Sequence, residues 1–468
     1  MSYTTHGEHT ALPPTVLYLV HALPPEEDTG TPLLAAGYAI EMARRGWNVT
    51  VLYASDRVKD WEEAMPFRLA GEEFSRVAVP PSPTRGEHWP LFAPLNIAGP
   101  ASPATLAFER VLRQVAPDLF HVVDNVDLPL DWPDRAAALG IPVVRTVSCT
   151  EDLCGLIPPV SPMSDPVGYC LPPLTPERCA RCLLSTGSFG RFAEDWDGAG
   201  SEDGVPDTSG RRRLIDLLER KRARMTTQYA ETFSRVIFSS RAFRAYFERS
   251  AQLDPARVAV IPLGLDPIPG QSQPNAKLDK KEEGTPLVFG CAGTVSRAKG
   301  LDAVAAAFLH PDLLGRDDYR LVILGGGDES IIAELLARNP RVHWTGPYEP
   351  EELPARLAEI DVGLSTSRFE TFHRVTREYL LSGVPVIGSS TAFGIPEVVQ
   401  HGHNGLLFDH VEPGSLLRAV LACLDEPELL ARITAGALAT TIRSVSEEVD
   451  DLVALYGEVV HPVPIGPG

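Results

Sequence analysis

The chain has 468 residues, is 44% hydrophobic and has a formal net charge of −20 at pH 7. This composition is typical of a globular protein of two or three domains and excludes a fibrous or largely disordered chain. The acidic balance disfavours nucleic acid and anionic membrane surfaces as broad partners. No apolar run reaches the ~18 residues of a bilayer span, and the polar N-terminus lacks a signal-peptide pattern, so we expect a cytoplasmic protein without a transmembrane segment.

The first half of the chain begins with a strand, a helix and a strand in succession. "TVLYLV" is a buried apolar run, "LLAAGYAIEMARRG" has helical periodicity, and "WNVTVLYAS" is again strand-like. Such a βαβ unit predicts a parallel sheet, which "PDLFHVVD", "GIPVVRTVS" and "SRVIFSS" would extend. We therefore expect a Rossmann-like domain at residues 14–265, preceded by a flexible tail at residues 1–13.

Two stretches interrupt this alternation. Residues 194–210 are polar and glycine-rich and are predicted to form a mobile loop. Residues 149–182 are rich in proline and carry five cysteines, four of which are spaced C-x15-C-x8-C-x2-C, namely Cys154, Cys170, Cys179 and Cys182. This spacing favours a structural Zn²⁺ site, with Cys149 as a fifth candidate. Unligated thiols, an iron–sulfur cluster and disulfides are the alternatives.

The second half repeats the alternation of strands and helices after a linker-like segment. Stretches such as "LVFGCAGTV", "YRLVILGGG" and "DVGLSTS" predict buried strands, in which Cys291 belongs to the core, as Cys423 does in a later helix. We expect a second Rossmann-like domain at residues 266–440, and a C-terminal helix and tail at residues 441–468 that pack back on the first domain. The expected architecture is α/β, with two doubly wound lobes that face a central cleft.

A helix start in the second half has the features of an anion site. The strand "DVGLSTS" is followed by "RFETFH", and the helix is predicted to begin near His373. The free amides of Phe372, His373 and Arg374 would then face the cleft and attract a phosphate. Glu370 and Glu378, with seven residues between them, would accept hydrogen bonds from hydroxyl groups on either side. This suits a nucleotide sugar, although an isolated pair of acids is more often structural.

The surrounding motifs resemble a known family. "ETFHRVTRE", "GVPVIGSSTAFGIPEVVQHGHNGLLF", "AGTVSRAKGLDAVAAAF" and "VIPLGLDP" are similar, in order and spacing, to segments of retaining glycosyltransferases of the GT-B fold, family 4 type. With the strands between them, these motifs cover most of residues 236–430. The first half matches more loosely, through "TGTPLLAAGYAIEMARRGWNVTVL".

The resemblance implies roles for individual residues. Lys299 would pair with the donor diphosphate, Glu378 would hold the ribose hydroxyls, and Glu370 would position the donor sugar, so Glu370 and Lys299 are the expected catalytic residues. Besides these, the expected donor-binding residues are Gly30, Thr31, Gly293, Thr294, Arg297, Phe372, His373 and Arg374. His21 and Ser148 are expected on the acceptor side.

The sequence departs from the family pattern at three positions. Thr294 occupies the place of a frequent arginine, which Arg297 would replace, and His373 occupies the place of a glycine. Ser148 or Cys149 occupies the place of a common histidine, which leaves the acceptor contact open.

The implied reaction is the transfer of a sugar, with retention, from a nucleoside-diphosphate sugar to a hydroxyl of a glycan, a lipid-linked sugar or a small metabolite. In such a transfer the leaving phosphate accepts the proton of the acceptor, so no catalytic metal is expected. The alternatives are a GT-B-fold sugar-nucleotide epimerase or phosphorylase, and a degenerate nucleotide-sugar-binding protein whose cysteine segment docks a partner.

Overall fold

A computed structural model gives the fold and describes residues 13–27, 30–81, 102–126, 128–154, 169–172, 174–185, 209–267 and 284–460. Apart from Pro13, the tail predicted at residues 1–13 lies outside this part of the chain. So do residues 194–208 of the predicted mobile loop. The last two residues of that predicted loop, Ser209 and Gly210, instead begin a helix, so the loop prediction extended two residues too far.

The first lobe is built on an eight-stranded sheet. Its strands are β1 (Thr15–Val20), β2 (Asn48–Ala54), β3 (Met65–Leu69), β4 (Glu72–Val79), β5 (Leu119–Val122), β6 (Val143–Val147), β7 (Phe233–Phe238) and β8 (Val258–Val260). The strand order is β3-β4-β2-β1-β5-β6-β7-β8, and only the β3–β4 hairpin is antiparallel. The order reverses between β1 and β5, so the loops after these strands separate at one edge of the sheet.

Six helices accompany this sheet in the described residues: α1 (Gly30–Arg44), α2 (Pro103–Val115), α3 (Trp132–Ala138), α4 (Pro176–Ser185), α5 (Ser209–Thr227) and α6 (Arg241–Glu248). The strands are apolar on both faces because helices cover both sides. In β1, Leu17 and Leu19 belong to one core, while Val16 and Tyr18 belong to the core on the opposite face. This explains why the strand sequences are continuous apolar runs rather than alternating ones.

The second lobe has a six-stranded parallel sheet. Its strands are β9 (Leu287–Ala292), β10 (Tyr319–Leu324), β11 (Val342–Trp344), β12 (Val362–Ser365), β13 (Val386–Ser389) and β14 (Gly405–Phe408), in the order β11-β10-β9-β12-β13-β14. The helices are α7 (Leu301–Phe308), α8 (Pro311–Leu314), α9 (Ala333–Arg338), α10 (Leu353–Leu357), α11 (Arg374–Leu381), α12 (Ser415–Asp425) and α13 (Pro427–Ala439). Here the order reverses between β9 and β12.

The last helix, α14 (Val445–Val460), lies against the first lobe rather than the second. Its Glu448 accepts a hydrogen bond from the Tyr38 hydroxyl of α1 at 2.5 Å and another from the backbone N–H of Gly264 at 2.7 Å. Gly264 lies between the lobes, and a Cβ atom there would be 2.0 Å from the carbonyl oxygen of Ser444. The C-terminal helix therefore ties the connection between the lobes to α1. Within the described residues, no helix combines the length and the apolar character that a membrane crossing requires.

Candidate functional site

The loop after β9 holds Lys299 at the carboxyl edge of the second sheet. Gly300, which precedes α7, has a φ of +75°, and a Cβ atom there would lie 2.0 Å from the carbonyl oxygen of Thr366. The Thr366 hydroxyl donates to the carbonyl oxygen of Lys299 at 2.8 Å. The loop is thus fixed against the end of β12, and this requires glycine at position 300.

Lys299 forms an ion pair with Glu370, which lies in the loop after β12. Burial by itself would raise the pKa of Glu370, but the nearby Lys299 ammonium outweighs burial and holds the pKa below its usual value. Glu370 is therefore ionised at neutral pH. The two residues predicted to be catalytic, 71 positions apart in sequence, are in direct contact.

Helix α11 begins where the sequence predicted, with His373 as its N-cap residue. His373 has a φ of +58°, a conformation that is uncommon for a residue with a side chain. Its Nδ1 accepts the backbone N–H of Thr376 at 3.3 Å, which satisfies one of the free amides of the helix start. Burial lowers the pKa of His373 to about 4, so the imidazole is neutral at pH 7.

A cavity of about 510 Å³ lies between the two lobes, beside the start of α11. Nine of the predicted site residues line it: Gly30, Thr31, Ser148, Gly293, Lys299, Glu370, Phe372, His373 and Arg374. The lobes meet beside it, because the Thr371 hydroxyl donates to the carbonyl oxygen of Ser148 at 2.7 Å. Residues 263–267 also line the cavity. The sequence analysis did not include them in the site, although "VIPLGLDP" was a signal for this segment.

Three predicted donor-binding residues do not line this cavity. Thr294 is exposed, and the side chain of Arg297 is 74% exposed and lies 3.6 Å from Asp302. The side chain of Glu378 is only 3% exposed, and its Oε1 accepts from Nε of Arg374 at 2.8 Å. Burial raises the pKa of Glu378 despite this arginine. The Glu378 carboxylate is thus paired with Arg374, which itself lines the cavity.

A second cavity of about 190 Å³, which we call the His21 cavity, adjoins the first. Its lining residues are His21, Glu27, Gly30, Thr31, Pro32, Asp124, Val126, Ser148, Cys149 and Glu151. Nδ1 of His21 lies 2.6 Å from Asp124 Oδ2, and Nε2 lies 3.4 Å from Glu27 Oε1. Burial would lower the pKa of His21, but the two carboxylates raise it to about 10, so the ring is protonated at neutral pH.

The four cysteines of the predicted zinc site are buried in the first lobe. A thiol–thiol hydrogen bond with Cys182, together with burial, raises the pKa of Cys170, and Arg222 donates to Sγ of Cys179 at 3.5 Å. All seven cysteines lie within the described residues and none forms a disulfide there. Among those residues, no group of three or more His, Cys, Asp or Glu side chains is arranged to hold a metal ion. Cys170 and Cys179 pack with leucines of α4 and α5.

The architecture defines the class of protein. The chain is similar to sucrose-phosphate synthase from Thermosynechococcus elongatus, with a TM-score of 0.59 and 14% identity over 95% of this chain and 98% of that one. It is also similar to an Anabaena protein, HepE, solved with UDP and glucose, with a TM-score of 0.55 and 18% identity over 95% and 99% of the two chains. At these identities the likeness shows the fold alone. The fold is GT-B, as the sequence predicted, and this prediction is confirmed.

The sequence comparisons give the family. Residues 29–264 match the family described as "Glycosyl transferase 4-like domain", and residues 286–426 match "Glycosyl transferases group 1". The chain therefore belongs to the family 4-like, group 1 glycosyltransferases. The family 4 type recognised from the motifs is confirmed, and the retaining mechanism stays a prediction.

Relatives with curated names match only part of the chain. D-inositol 3-phosphate glycosyltransferase of Stackebrandtia nassauensis is 30% identical to this chain, over 46% of this chain and 52% of the relative's own length. A GDP-mannose-dependent alpha-mannosyltransferase of Mycolicibacterium smegmatis is 30% identical over 30% of this chain and 35% of the relative's length. The chain spans about half the length, or less, of these relatives. Neither the epimerase or phosphorylase alternative nor the degenerate binding protein is favoured by these matches.

Proposed function

We propose that the chain transfers a sugar from a nucleoside-diphosphate sugar to an acceptor hydroxyl, with retention of configuration and without a catalytic metal. The observation that carries this proposal is the contact between Lys299 and Glu370 in a cavity between the lobes of a GT-B glycosyltransferase. An ammonium group and a carboxylate that lie side by side in a ligand cavity are typical of a functional site rather than of a surface ion pair.

The donor diphosphate would bind Lys299 and the start of α11. A diphosphate competes with Glu370 for the Lys299 ammonium, and the amides near Phe372 and His373 add the positive end of the helix dipole. Because His373 is neutral, it would contribute hydrogen bonds rather than charge. Thr294 and Arg297 are not included in the proposed donor site, since their side chains face solvent.

In the proposed reaction, the bond between the anomeric carbon and the diphosphate oxygen breaks, and a bond to the acceptor oxygen forms on the same face. The acceptor proton passes to the departing diphosphate. The protein has to hold the acceptor hydroxyl beside the leaving oxygen, on the same face of the sugar, and stabilise the charge of the leaving group. Lys299 would do the latter. Glu370, once released from Lys299, would accept hydrogen bonds from the donor sugar. Glu378 would reach the ribose hydroxyls after Arg374 turns toward the diphosphate.

Isothermal titration with UDP, GDP and ADP, followed by product analysis with the matching nucleotide sugar, tests the proposal. We expect one nucleotide to bind at micromolar Kd. Lys299→Ala should weaken this binding about 10- to 100-fold, because a charge-assisted contact to phosphate is lost. The exposed Lys59 of the first lobe gives the control, Lys59→Ala. If none of the nucleotides binds the wild-type protein, or if Lys299→Ala binds as tightly as wild type, the proposal is wrong.

Two further expectations remain proposals. Cys154, Cys170, Cys179 and Cys182 would hold a structural zinc ion as thiolates, and elemental analysis of the purified protein tests for it. A substoichiometric zinc content would exclude it. The cytoplasmic location also stays a prediction, which fractionation of cells that express the protein would test.

A further inference from the structure

The His21 cavity lies where the strand order of the first sheet reverses. His21 follows β1 and Asp124 follows β5, so both stand at the carboxyl edge, where doubly wound sheets bind ligands. The cavity shares Gly30, Thr31 and Ser148 with the larger cavity between the lobes. A molecule in the His21 cavity would thus adjoin the proposed donor.

The charged residues that line this cavity are mostly acidic. Glu27, Asp124 and Glu151 contribute carboxylates, and His21 is the basic residue among the described lining residues. The nearest guanidinium, that of Arg145, is buried and already binds Glu151 at 2.5 Å and Asp152 at 3.1 Å. The buried Lys221 donates to the backbone carbonyl of Glu151 rather than into the cavity. Both buried cations are therefore engaged by the protein itself.

Glu151, one of the residues that line this cavity, has a buried carboxylate oxygen without a hydrogen-bond partner in the described part of the chain. The side chain of Glu151 is only 2% exposed. Its Oε1 accepts from Arg145, but within the described part of the chain its Oε2 has no donor. A buried acceptor left unpaired is costly, so such atoms in native proteins are normally satisfied by a group that is absent from the structure. The hydroxyl groups of Thr31 and Ser148, 3.5 Å apart, line the same cavity.

We propose that the His21 cavity is the acceptor subsite and that it selects an unphosphorylated acceptor, whose hydroxyl or ammonium groups donate hydrogen bonds to Glu151, Asp124 and Glu27. This inference rests on the proposed function, since it assigns the second substrate of the same reaction. A phosphorylated acceptor would place its negative charge beside Glu27, Asp124 and Glu151. The cations nearby would not compensate for it, because His21 is paired with Asp124 and Glu27, and Arg145 and Lys221 are bound by the protein itself. The preference is opposite to that expressed in the name D-inositol 3-phosphate glycosyltransferase, which the curated relatives carry.

A matched acceptor panel tests this inference with the nucleotide sugar found by titration. The panel contains glucose, glucosamine and glucose 6-phosphate, and also myo-inositol and its 3-phosphate. Within each set the ring is the same and only the charged substituent differs. We expect the neutral or the amino compound to be used with a kcat/KM at least tenfold above that of its phosphate. A preference for either phosphate overturns the inference, as does donor binding without transfer to any unphosphorylated compound. If no nucleotide binds, the proposed function fails, and the inference fails with it.

Variants of the carboxylates test the assigned residues. Glu151→Gln and Glu27→Gln should each raise the acceptor KM about tenfold, reduce the discrimination against the phosphates, and leave the nucleotide Kd unchanged. Glu27 lies at the rim with a side chain 40% exposed, so Glu27→Gln remains informative if Glu151→Gln does not fold. The control is Glu248→Gln, which removes a surface acid of the same lobe that pairs with Arg244. Unchanged KM and discrimination in the folded variants would overturn the inference.

Discussion

The two lobes use the same position in the fold for opposite charges. In the second lobe, the strand order reverses between β9 and β12, and the loops there bring Lys299 to the start of α11. In the first lobe, it reverses between β1 and β5, and the loops bring His21 between two carboxylates, with Glu151 nearby. The topology fixes where a ligand binds, and the side chains at that edge determine which charge is accepted.

The difference between the lobes fits two substrates of different chemistry. A nucleotide sugar is an anion, so its site needs a cation and free amides. An acceptor in the first lobe needs hydrogen-bond acceptors instead, and extra cations there would attract the diphosphate to the wrong lobe. Because the chain as a whole has a charge of −20, the local positive potential around Lys299 distinguishes this site from the rest of the surface as a place for an anion.

The largest expected effect is on kcat and comes from Glu370 in the second lobe. Glu370→Gln should lower kcat about 100- to 1000-fold, or about 3 to 4 kcal/mol, because the sugar loses its positioning carboxylate. Nucleotide affinity should stay equal or increase, since Lys299 no longer has an internal partner. Steady-state kinetics and titration measure both quantities. Glu329→Gln, at an exposed acid of the same lobe, is the control. A variant with weakened nucleotide binding and normal kcat would contradict the assigned role.

The next effect tests how the donor loop is fixed. Gly300→Ala should destabilise the protein by about 2 to 3 kcal/mol, because the added Cβ would meet the carbonyl oxygen of Thr366 in a backbone conformation that also disfavours alanine. Urea unfolding gives the free energy of unfolding of this variant.

Gly46→Ala provides the matched control, since Gly46 has a similar φ of +81° and open space where the Cβ would lie. It should cost about 1 kcal/mol, which reflects backbone strain alone. Equal losses in the two variants would show that the contact with Thr366 does not restrain the loop.

The smallest expected effect concerns the charge of His21 in the first lobe, which should make the free energy of unfolding depend on pH. The pKa of His21 is raised from 6.5 to about 10 in the folded protein, so its stabilising contribution is complete below pH 6.5 and is lost as pH rises toward 10. Over that range, the free energy of unfolding of wild type should fall by at least about 1 kcal/mol more than that of His21→Gln. Urea unfolding at several pH values measures the difference, with the exposed His343→Gln as control. Parallel pH dependences of wild type and His21→Gln would contradict the protonated state of His21.

The sequence by itself determined the fold and the centre of the proposed donor site. Apolar runs bounded by glycine and proline predict strands, and helical periodicity between them predicts parallel sheets, since both signals depend on local chain geometry. The start of α11 at His373 and the loop around Lys299 follow from the same local rules. The contact between Lys299 and Glu370 was not predicted, because it depends on β9 and β12 being neighbours in the second sheet.

Only the tertiary structure decided what the side chains of distant segments do to one another. The pairing of Glu378 with Arg374 and the exposure of Arg297 depend on packing that no local pattern encodes. Glu27, Asp124 and Glu151 come from three separate loops, and the sequence analysis assigned none of them to a site, although the position of Asp124 just after β5 was a signal. Arg145 and Lys221, which bind the side chain and the backbone carbonyl of Glu151, are buried, and burial is a property of the whole lobe rather than of any segment.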